Sequence, residues 1–278
     1  MFRDLFAQLT ASWIALRWLI HNVRFSKPHK LDTPLVVSLT SYPPRFSVLQ
    51  RTLQSLLMQT IKPDHLILWV ADKDVRTLPV TIWALVAHGL SIKTCSDIGS
   101  YKKIIPTLIS YPDAVIVTAD DDVYYWPTWL EELVSAYKPG AKEVLCHRAH
   151  QIIFRTDGRP APYRDWKFET ANTNASTAIF PTGLGGILYR PSIFTTDVTQ
   201  KERFQTYCPS ADDIWLFWMA LLNGAQFRKV GPVRRFVLWK GGQDVALYNH
   251  NVLGTDANDK QIGAMIAAYG LPMAGKMS

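Results

Sequence analysis

The stretch Ala114-Val-Ile-Val-Thr-Ala-Asp-Asp-Asp-Val-Tyr-Tyr-Trp126 decides how the chain is read. Ala114–Thr118 is short, apolar and β-branched, the pattern of a buried strand. It runs directly into Asp120-Asp121-Asp122. Three adjacent carboxylates repel one another, so something must compensate them, and a hard divalent cation with oxygen ligands does so. An acidic, solvated loop leading into the helix that starts near Pro127 is the plainer alternative. The position at a strand's carboxyl end favours a site, because ligands of open α/β sheets bind there.

Working outward, the same alternation repeats. Leu35–Thr40 (LVVSLT) reads as a strand, and the apolar spacing of Phe46–Met58 as a helix. Leu66–Ala71 is the next strand, followed by a helical Val80–His88 that ends at Gly89. Leu90–Thr94, Lys102–Ile109, Ala114–Thr118 and Pro127–Tyr137 continue as strand, helix, strand and helix. This βαβαβαβα order predicts an α/β fold with a mixed, mainly parallel central sheet flanked by helices. The second half is less regular. Strands are expected at Val144–His147 and Gly186–Tyr189, a helix from Ala211 to about Asn223, a basic strand region near Phe227–Trp239 and a helix near Gln261–Tyr269. No internal repeat is visible, so residues 31–278 are read as one domain behind an N-terminal helix, residues 1–30.

Composition removes several classes. Of 278 residues, 48% are hydrophobic and 19% charged, which excludes disorder. Three cysteines (Cys95, Cys146, Cys208) make no disulfide scaffold, and no long uncharged apolar run marks a multi-span membrane protein. The formal charge of +7 has three candidate anionic partners: nucleic acid, a membrane surface or a nucleotide diphosphate. Position narrows the choice. Residues 1–30 carry +4 and residues 228–240 carry +5, which leaves the rest slightly acidic. Nucleic acid therefore ranks last, and no helix-turn-helix, RNP or zinc signature supports it.

Within residues 1–30, Phe2, Leu5, Phe6, Leu9, Trp13, Leu16, Ile20 and Val23 fall on one side of a helix. Ile14 and Trp18 interrupt the polar face. A basic amphipathic helix lying on a membrane surface fits this pattern. A terminal helix packed on its own domain is the alternative, and a membrane span is disfavoured by the mid-run Arg17. The apolar run is followed by no small-residue cleavage site. The expected location is cytoplasmic, peripheral at the inner face of the plasma membrane.

Further candidates are more modest. Asp212-Asp213 begins an apolar helix after Ser210, a position that suits either an N-terminal cap or a general base. Trp239-Lys240-Gly241-Gly242 and the late His250 offer a cation and a metal ligand. His147 and His150 stand three apart, so on a strand they face opposite ways. Thr40, Ser41, Tyr42 and Arg45 follow the first strand, Asp72 the second, and Lys102-Lys103 precede the aspartates. All suit a nucleotide. Gly183-Leu184-Gly185-Gly186 does not match G-x-G-x-x-G, and no Walker A or G-x-S-x-G motif occurs.

Together, TSYPPR, LLMQT, WVAD, TADDD, PTGLGGILYR, CPSADDIW and His250 resemble the glycosyltransferases of the GT-A fold, family 2-like members most closely. The resemblance spans roughly residues 34–255. It implies a nucleoside-diphosphate sugar donor, UDP-sugar favoured, a glycan or glycolipid acceptor and bound Mn²⁺ or Mg²⁺. Asp120 and Asp122 would be the D-x-D metal ligands, with Asp121 between them and His250 as a third. Asp213 would be the base of an inverting reaction with Asp212 beside it, and Gly185-Gly186 the loop beside the donor sugar. Lys103 and Lys240 would assist the diphosphate; Asp72, Thr40, Tyr42 and Arg45 would hold the nucleoside. Two departures stand out: Asp212-Asp213 replaces the usual Glu-Asp, and no Q-x-x-R-W follows. Two other readings compete. One is a metal-dependent nucleotidyltransferase, which would release pyrophosphate. The other is a non-enzymatic basic protein at a membrane surface.

Overall fold

The computed structural model describes residues 2–20, 26–239 and 256–272. The chain forms two compact units, one of residues 1–136 and 235–245, the other of residues 137–234 and 246–278.

The first unit opens with helix α1 (Phe2–Ile20), then strand β1 (Lys27–Pro28) and strand β2 (Leu35–Thr40). Helix α2 (Phe46–Leu57) leads to the short strand β3 (Ile61–Lys62) and to β4 (His65–Ala71). A short helix α3 (Val80–Trp83) continues as a 3₁₀ turn over Ala84–His88. Then come β5 (Leu90–Cys95), α4 (Ile105–Ser110), β6 (Val115–Ala119) and α5 (Trp129–Ala136). Gly89, at φ 105°, turns the chain out of the 3₁₀ segment and into β5, a conformation that glycine adopts without steric cost.

The sheet order is β6-β2-β4-β5, with every pair parallel. Strands β2, β4 and β6 read as nearly continuous apolar runs because both their faces are covered. The order contains a reversal. From β2 the chain adds β4 and then β5 on one side, and returns to place β6 on the other. The switch point therefore lies between β2 and β6, where Leu39 pairs with Ala119. The loops leaving these two strands emerge side by side at their carboxyl ends, the position where open α/β sheets bind ligands.

Few polar groups are buried here, and those near the switch are tied together. Thr107 of α4 bonds the hydroxyl of Ser38 on β2 and accepts from the Trp69 indole on β4, both at 2.8 Å. Gln59, just beyond α2, is buried. Its amide donates to the carbonyls of Ser55 and Trp126, and its oxygen accepts from the Leu130 N–H, each at 3.0 Å. One side chain thus fixes both the end of α2 and the start of α5. Trp239, fully buried, donates its indole N–H to Thr52 and its backbone N–H to the carbonyl of Asp122.

Helix α1 packs through Ile14, which is completely buried with Val48, Met58, Val237 and Trp239. Ala7, Ala11 and Trp18 lie along the same seam. The inward face is therefore the one that Ile14 and Trp18 occupy, opposite to the apolar side marked out by Leu9, Trp13, Leu16 and Ile20. No helix among the described residues is long and apolar enough to cross a membrane.

The second unit has strands β7 (Glu143–Cys146), β8 (Ala149–Gln151), β9 (Ile179–Pro181) and β10 (Ile187–Tyr189). Helices α6 (Lys201–Tyr207) and α7 (Asp212–Leu222), strand β11 (Gln226–Lys229) and helix α8 (Ala257–Tyr269) follow. β7 pairs parallel with β11 and antiparallel with β10, and β8 with β9 forms an antiparallel ribbon. The basic strand expected over Phe227–Trp239 is only four residues long, because Gly231 and Pro232 end it. The ribbon and α6 carry too few residues to show a periodicity.

Replacing Gln59 with leucine keeps the volume but removes the side-chain partner of the Leu130 N–H and of the Ser55 carbonyl, while the Trp126 carbonyl keeps its bond from the Trp129 N–H. The variant is expected to lose about 1–3 kcal/mol of stability, read as a lower urea midpoint with an unchanged slope.

Candidate functional site

At the switch point the Asp triplet, which follows β6, is bonded to the turn between β2 and α2. Asp121 and Asp122 are each 4% exposed. Ser41, the first residue after β2, donates its hydroxyl to Asp121 Oδ2 at 2.6 Å. Arg45 donates from Nη1 to Asp121 Oδ1 at 2.7 Å and lies 3.3 Å from Asp122 Oδ2. Lys103, itself buried, donates to Asp120 Oδ1 at 3.1 Å. Of the three carboxylates Asp120 is the most accessible, with its side chain 25% exposed. Its backbone N–H is held by the hydroxyl of Tyr125 at 2.7 Å.

This arrangement revises how the triplet is compensated. Among the described residues, Arg45 and Lys103 are paired with the three carboxylates. Burial and mutual repulsion still act on the cluster. Burial pushes the Asp122 carboxyl up to about 7, with Arg45 opposing and Asp121 and Asp120 reinforcing the rise. Burial works against the Arg45 charge, but Asp121 and Asp122 outweigh it and hold the guanidinium above its ordinary range.

The other residues expected near a nucleotide are distributed as follows. Thr40 turns its hydroxyl to the carbonyl of Trp69 at 2.9 Å. Tyr42 lies under the Arg45 guanidinium, 5.9 Å from the ring centre. Asp72 is exposed just past the end of β4, where its N–H bonds the Cys95 carbonyl. Lys102 is paired with Asp97 at 2.7 Å, and Lys73 reaches the same carboxylate at 2.8 Å. The structure therefore brings Tyr42, Arg45, Lys103 and the triplet together and commits Lys102 elsewhere. Lys240 and His250 lie outside the described residues. Tyr125 and Gln59 had no signal in the sequence: one is a tyrosine among aromatics, the other a glutamine at a helix end.

In the second unit, Asp212 and Asp213 open α7. Its cap residue is Ala211, not Ser210, whose hydroxyl accepts instead from Gln261 at 3.1 Å. Asp212 is buried, while Asp213 is half-buried. Asp213 Oδ2 accepts the N–H of Gly183 at 2.8 Å. Gly183 in turn accepts the N–H of Gly186 at 2.9 Å, closing a tight turn. Gly185 and Gly186 hold φ of 117° and 89°, which other residues rarely adopt. The loop thus lines its backbone against a carboxylate at a helix N-terminus. Arg228 is paired with Glu143 at 2.9 Å, and Lys229 is buried and turned to the Gly231 carbonyl. These two cations of the basic segment are occupied inside the unit. His150 is buried against Tyr163 and Phe168 and accepts the Glu169 N–H. Burial, aided by Arg148, pushes its ring down to about 3.

Comparison with known proteins adds general likeness. No family model matches the sequence, and no curated protein does. Among solved structures, GalNAc-T7 with UDP, GalNAc and Mn²⁺ is 11% identical, over 77% of this chain and 46% of that one, at a TM-score of 0.47. The chain thus spans less than half the length of that structure. The mannosyltransferase PcManGT from Pyrobaculum calidifontis, in complex with GDP-Man and Mn²⁺, is 14% identical over 98% of this chain and 81% of its own, with a TM-score of 0.47. An inositol-1-phosphate CTP transferase from T. maritima is 9% identical over 87% and 97%, with a TM-score of 0.44. At such identities and scores these likenesses assign no activity.

The donor set itself can be tested against a metal. Among the described residues no group of three or more His, Cys, Asp or Glu surrounds a common point. The described residues alone therefore form no closed cage of the zinc or calcium type. Mg²⁺ and ions like it are instead held by one or two carboxylates, with waters and substrate phosphates completing the shell. Asp120 and Asp122, hard oxygen donors at a strand's carboxyl end, fit that mode.

Arg45→Met keeps the length of the side chain and removes its charge. The buried Asp121 and Asp122 then lose their counter-ion, which is expected to cost about 3–5 kcal/mol, measured by urea unfolding at neutral pH. Wild-type stability in that variant would place the pairing outside the folded core.

Proposed function

We propose that this chain is a metal-dependent glycosyltransferase of the GT-A type. It would move a sugar, with inversion, from a nucleoside-diphosphate sugar to a hydroxyl of a glycan or glycolipid, in surface polysaccharide biosynthesis. A UDP-sugar is the favoured donor, and the work would take place at the cytoplasmic face of a membrane. The observation that carries the reading is the pairing of Ser41 and Arg45 with the Asp triplet at the switch point between β2 and β6.

In this reading Asp120 and Asp122 hold the divalent cation. When bound, that ion offsets the charge developing on the departing nucleoside diphosphate. Lys103 keeps Asp120 in place and adds a positive charge beside the phosphates. Arg45 holds Asp121 and Asp122 in fixed positions, so they need no rearrangement when the donor arrives. Tyr42 offers a ring, and Asp72, one strand further along the sheet edge, an acceptor for a base N–H. In the second unit Asp213 takes the proton of the attacking hydroxyl. Its link to Gly183 fixes the carboxylate in place. Half-exposed Asp213 suits this role better than buried Asp212, which stays a neighbour that shapes the turn.

Asp122→Asn is expected to abolish Mn²⁺-dependent binding of the nucleotide sugar while the protein stays folded. Calorimetric titration with UDP-, GDP-, ADP- and CMP-sugars, with and without the ion, measures this. Metal-dependent binding of wild-type strength in the variant would remove Asp122 from the site. Release of pyrophosphate from a triphosphate, in place of a nucleoside diphosphate from a sugar donor, would favour a nucleotidyltransferase.

Asp213→Asn keeps an oxygen for the Gly183 N–H but cannot accept a proton. Turnover is expected to fall by about 10²–10⁴, with donor affinity unchanged. Equal losses of turnover and donor affinity would mark Asp213 as a holder of the glycine loop alone.

A further inference from the structure

Helix α1 has two apolar stripes. Ala7, Ala11, Ile14 and Trp18 face inward and are taken up by α2 and by the segment around Val237 and Trp239. Leu9, Trp13, Leu16 and Ile20 repeat the same spacing two residues out of phase and so lie on the opposite side, where Trp13, 43% exposed, also meets Tyr124 edge-on at 6.1 Å between ring centres. The inward stripe already supplies the packing a terminal helix needs. The outward stripe nevertheless keeps large side chains in water: Leu16 is 60% exposed, Ile20 76% and neighbouring Leu19 82%. Scattered exposed apolar residues are ordinary, but a stripe of five on one helix face marks an interaction surface.

The neighbouring surface extends this character. Trp18 touches His88 at 4.8 Å between ring centres, which places the segment Val80–His88 beside the helix. That segment exposes Val80 at 79%, together with Trp83 and Val86. Arg17 and three exposed lysines belong to the same unit. Arg17 lies on the flank of the stripe, 5.0 Å from the Trp13 ring, with a long stem able to carry its charge past the apolar boundary. Lys27 and Lys62, both exposed, sit on the paired strands β1 and β3 that follow the helix, and Lys30 is exposed just after.

We propose that the outward face of α1, with the exposed part of Val80–His88, docks the protein onto an anionic lipid bilayer. Leu9, Trp13, Leu16, Leu19 and Ile20 would enter the headgroup and upper acyl region, with the helix lying in the plane of the surface. Arg17, Lys27, Lys30 and Lys62 would meet the lipid phosphates. Charge decides between the possible occupants. A second copy of the chain on this face would bring together two segments of residues 1–30 that each carry +4, whereas an anionic bilayer attracts them. Spanning is excluded by the composition of the helix, so the contact is interfacial.

Flotation with phosphatidylcholine vesicles, with and without phosphatidylglycerol, tests this on the full chain. Wild type is expected to float with the anionic vesicles and to be released as salt rises. Leu16→Glu combined with Ile20→Glu is expected to reduce the floating fraction at least ~10-fold. Gln205→Glu, on the exposed side of α6 in the second unit, should float as wild type does. Circular dichroism of each variant checks that α1 remains folded. Asp122→Asn should float normally, which separates membrane docking from the transferase reading. Three results would overturn the inference. One is equal flotation of wild type and the double variant. Another is equal binding to neutral and anionic vesicles. The third is absence of vesicle binding with a dimer, in sedimentation velocity, that the double variant dissociates; the face would then belong to a second copy.

Discussion

The guanidinium of Arg45 is held against Asp121 and Asp122 at 2.7 and 3.3 Å, inside a nearly water-free turn. Three consecutive carboxylates at the end of a buried strand would otherwise push the chain apart or force protons onto it. Arg45 immediately precedes α2, and Gln59 follows that helix and holds the chain at Trp126 and Leu130. Helix α2 therefore grips the acidic loop twice, at the triplet and again just after it. Between these grips Tyr125 fixes the Asp120 backbone, and Trp239 bonds the Asp122 carbonyl. The loop is held in place because its like charges are paired with Arg45 and Lys103 and its backbone is bonded on each side.

The architecture of the first unit was legible because its strands are buried on both faces and its helices intervene at regular intervals. LVVSLT, LILWVA and AVIVT declare themselves, and chain order alone implies parallel pairing. The acidic triplet was legible too, as was its place at a strand's end. What compensates it was not. Arg45 and Asp121 are 76 positions apart, and Lys103 is one of two adjacent lysines, one of which turns to Asp97. A sequence gives the number of charges, while pairing depends on which loops a sheet brings together.

Helix α1 shows a different limit. Its apolar positions were read as a single stripe with two intruders, Ile14 and Trp18. Those intruders, with two alanines, are the packed face. A hydrophobic period identifies a helix but says nothing of which stripe meets the core when two exist. Small residues settle it, because Ala7 and Ala11 let the helix approach α2 closely. The same blindness affected the second unit. Asp212 and Asp213 are adjacent and chemically alike, yet one is buried and the other half-exposed, set by the 100° that separates neighbours on a helix.

The bond from the Gly183 amide to Asp213 has a spectroscopic consequence. An amide proton aimed at a carboxylate feels its charge directly, so its resonance moves when that charge is neutralised. Gly183 is thus a built-in voltmeter for Asp213. In a spectrum of the resting protein its amide signal reports the bond to that carboxylate directly, with no substrate known and no turnover measured.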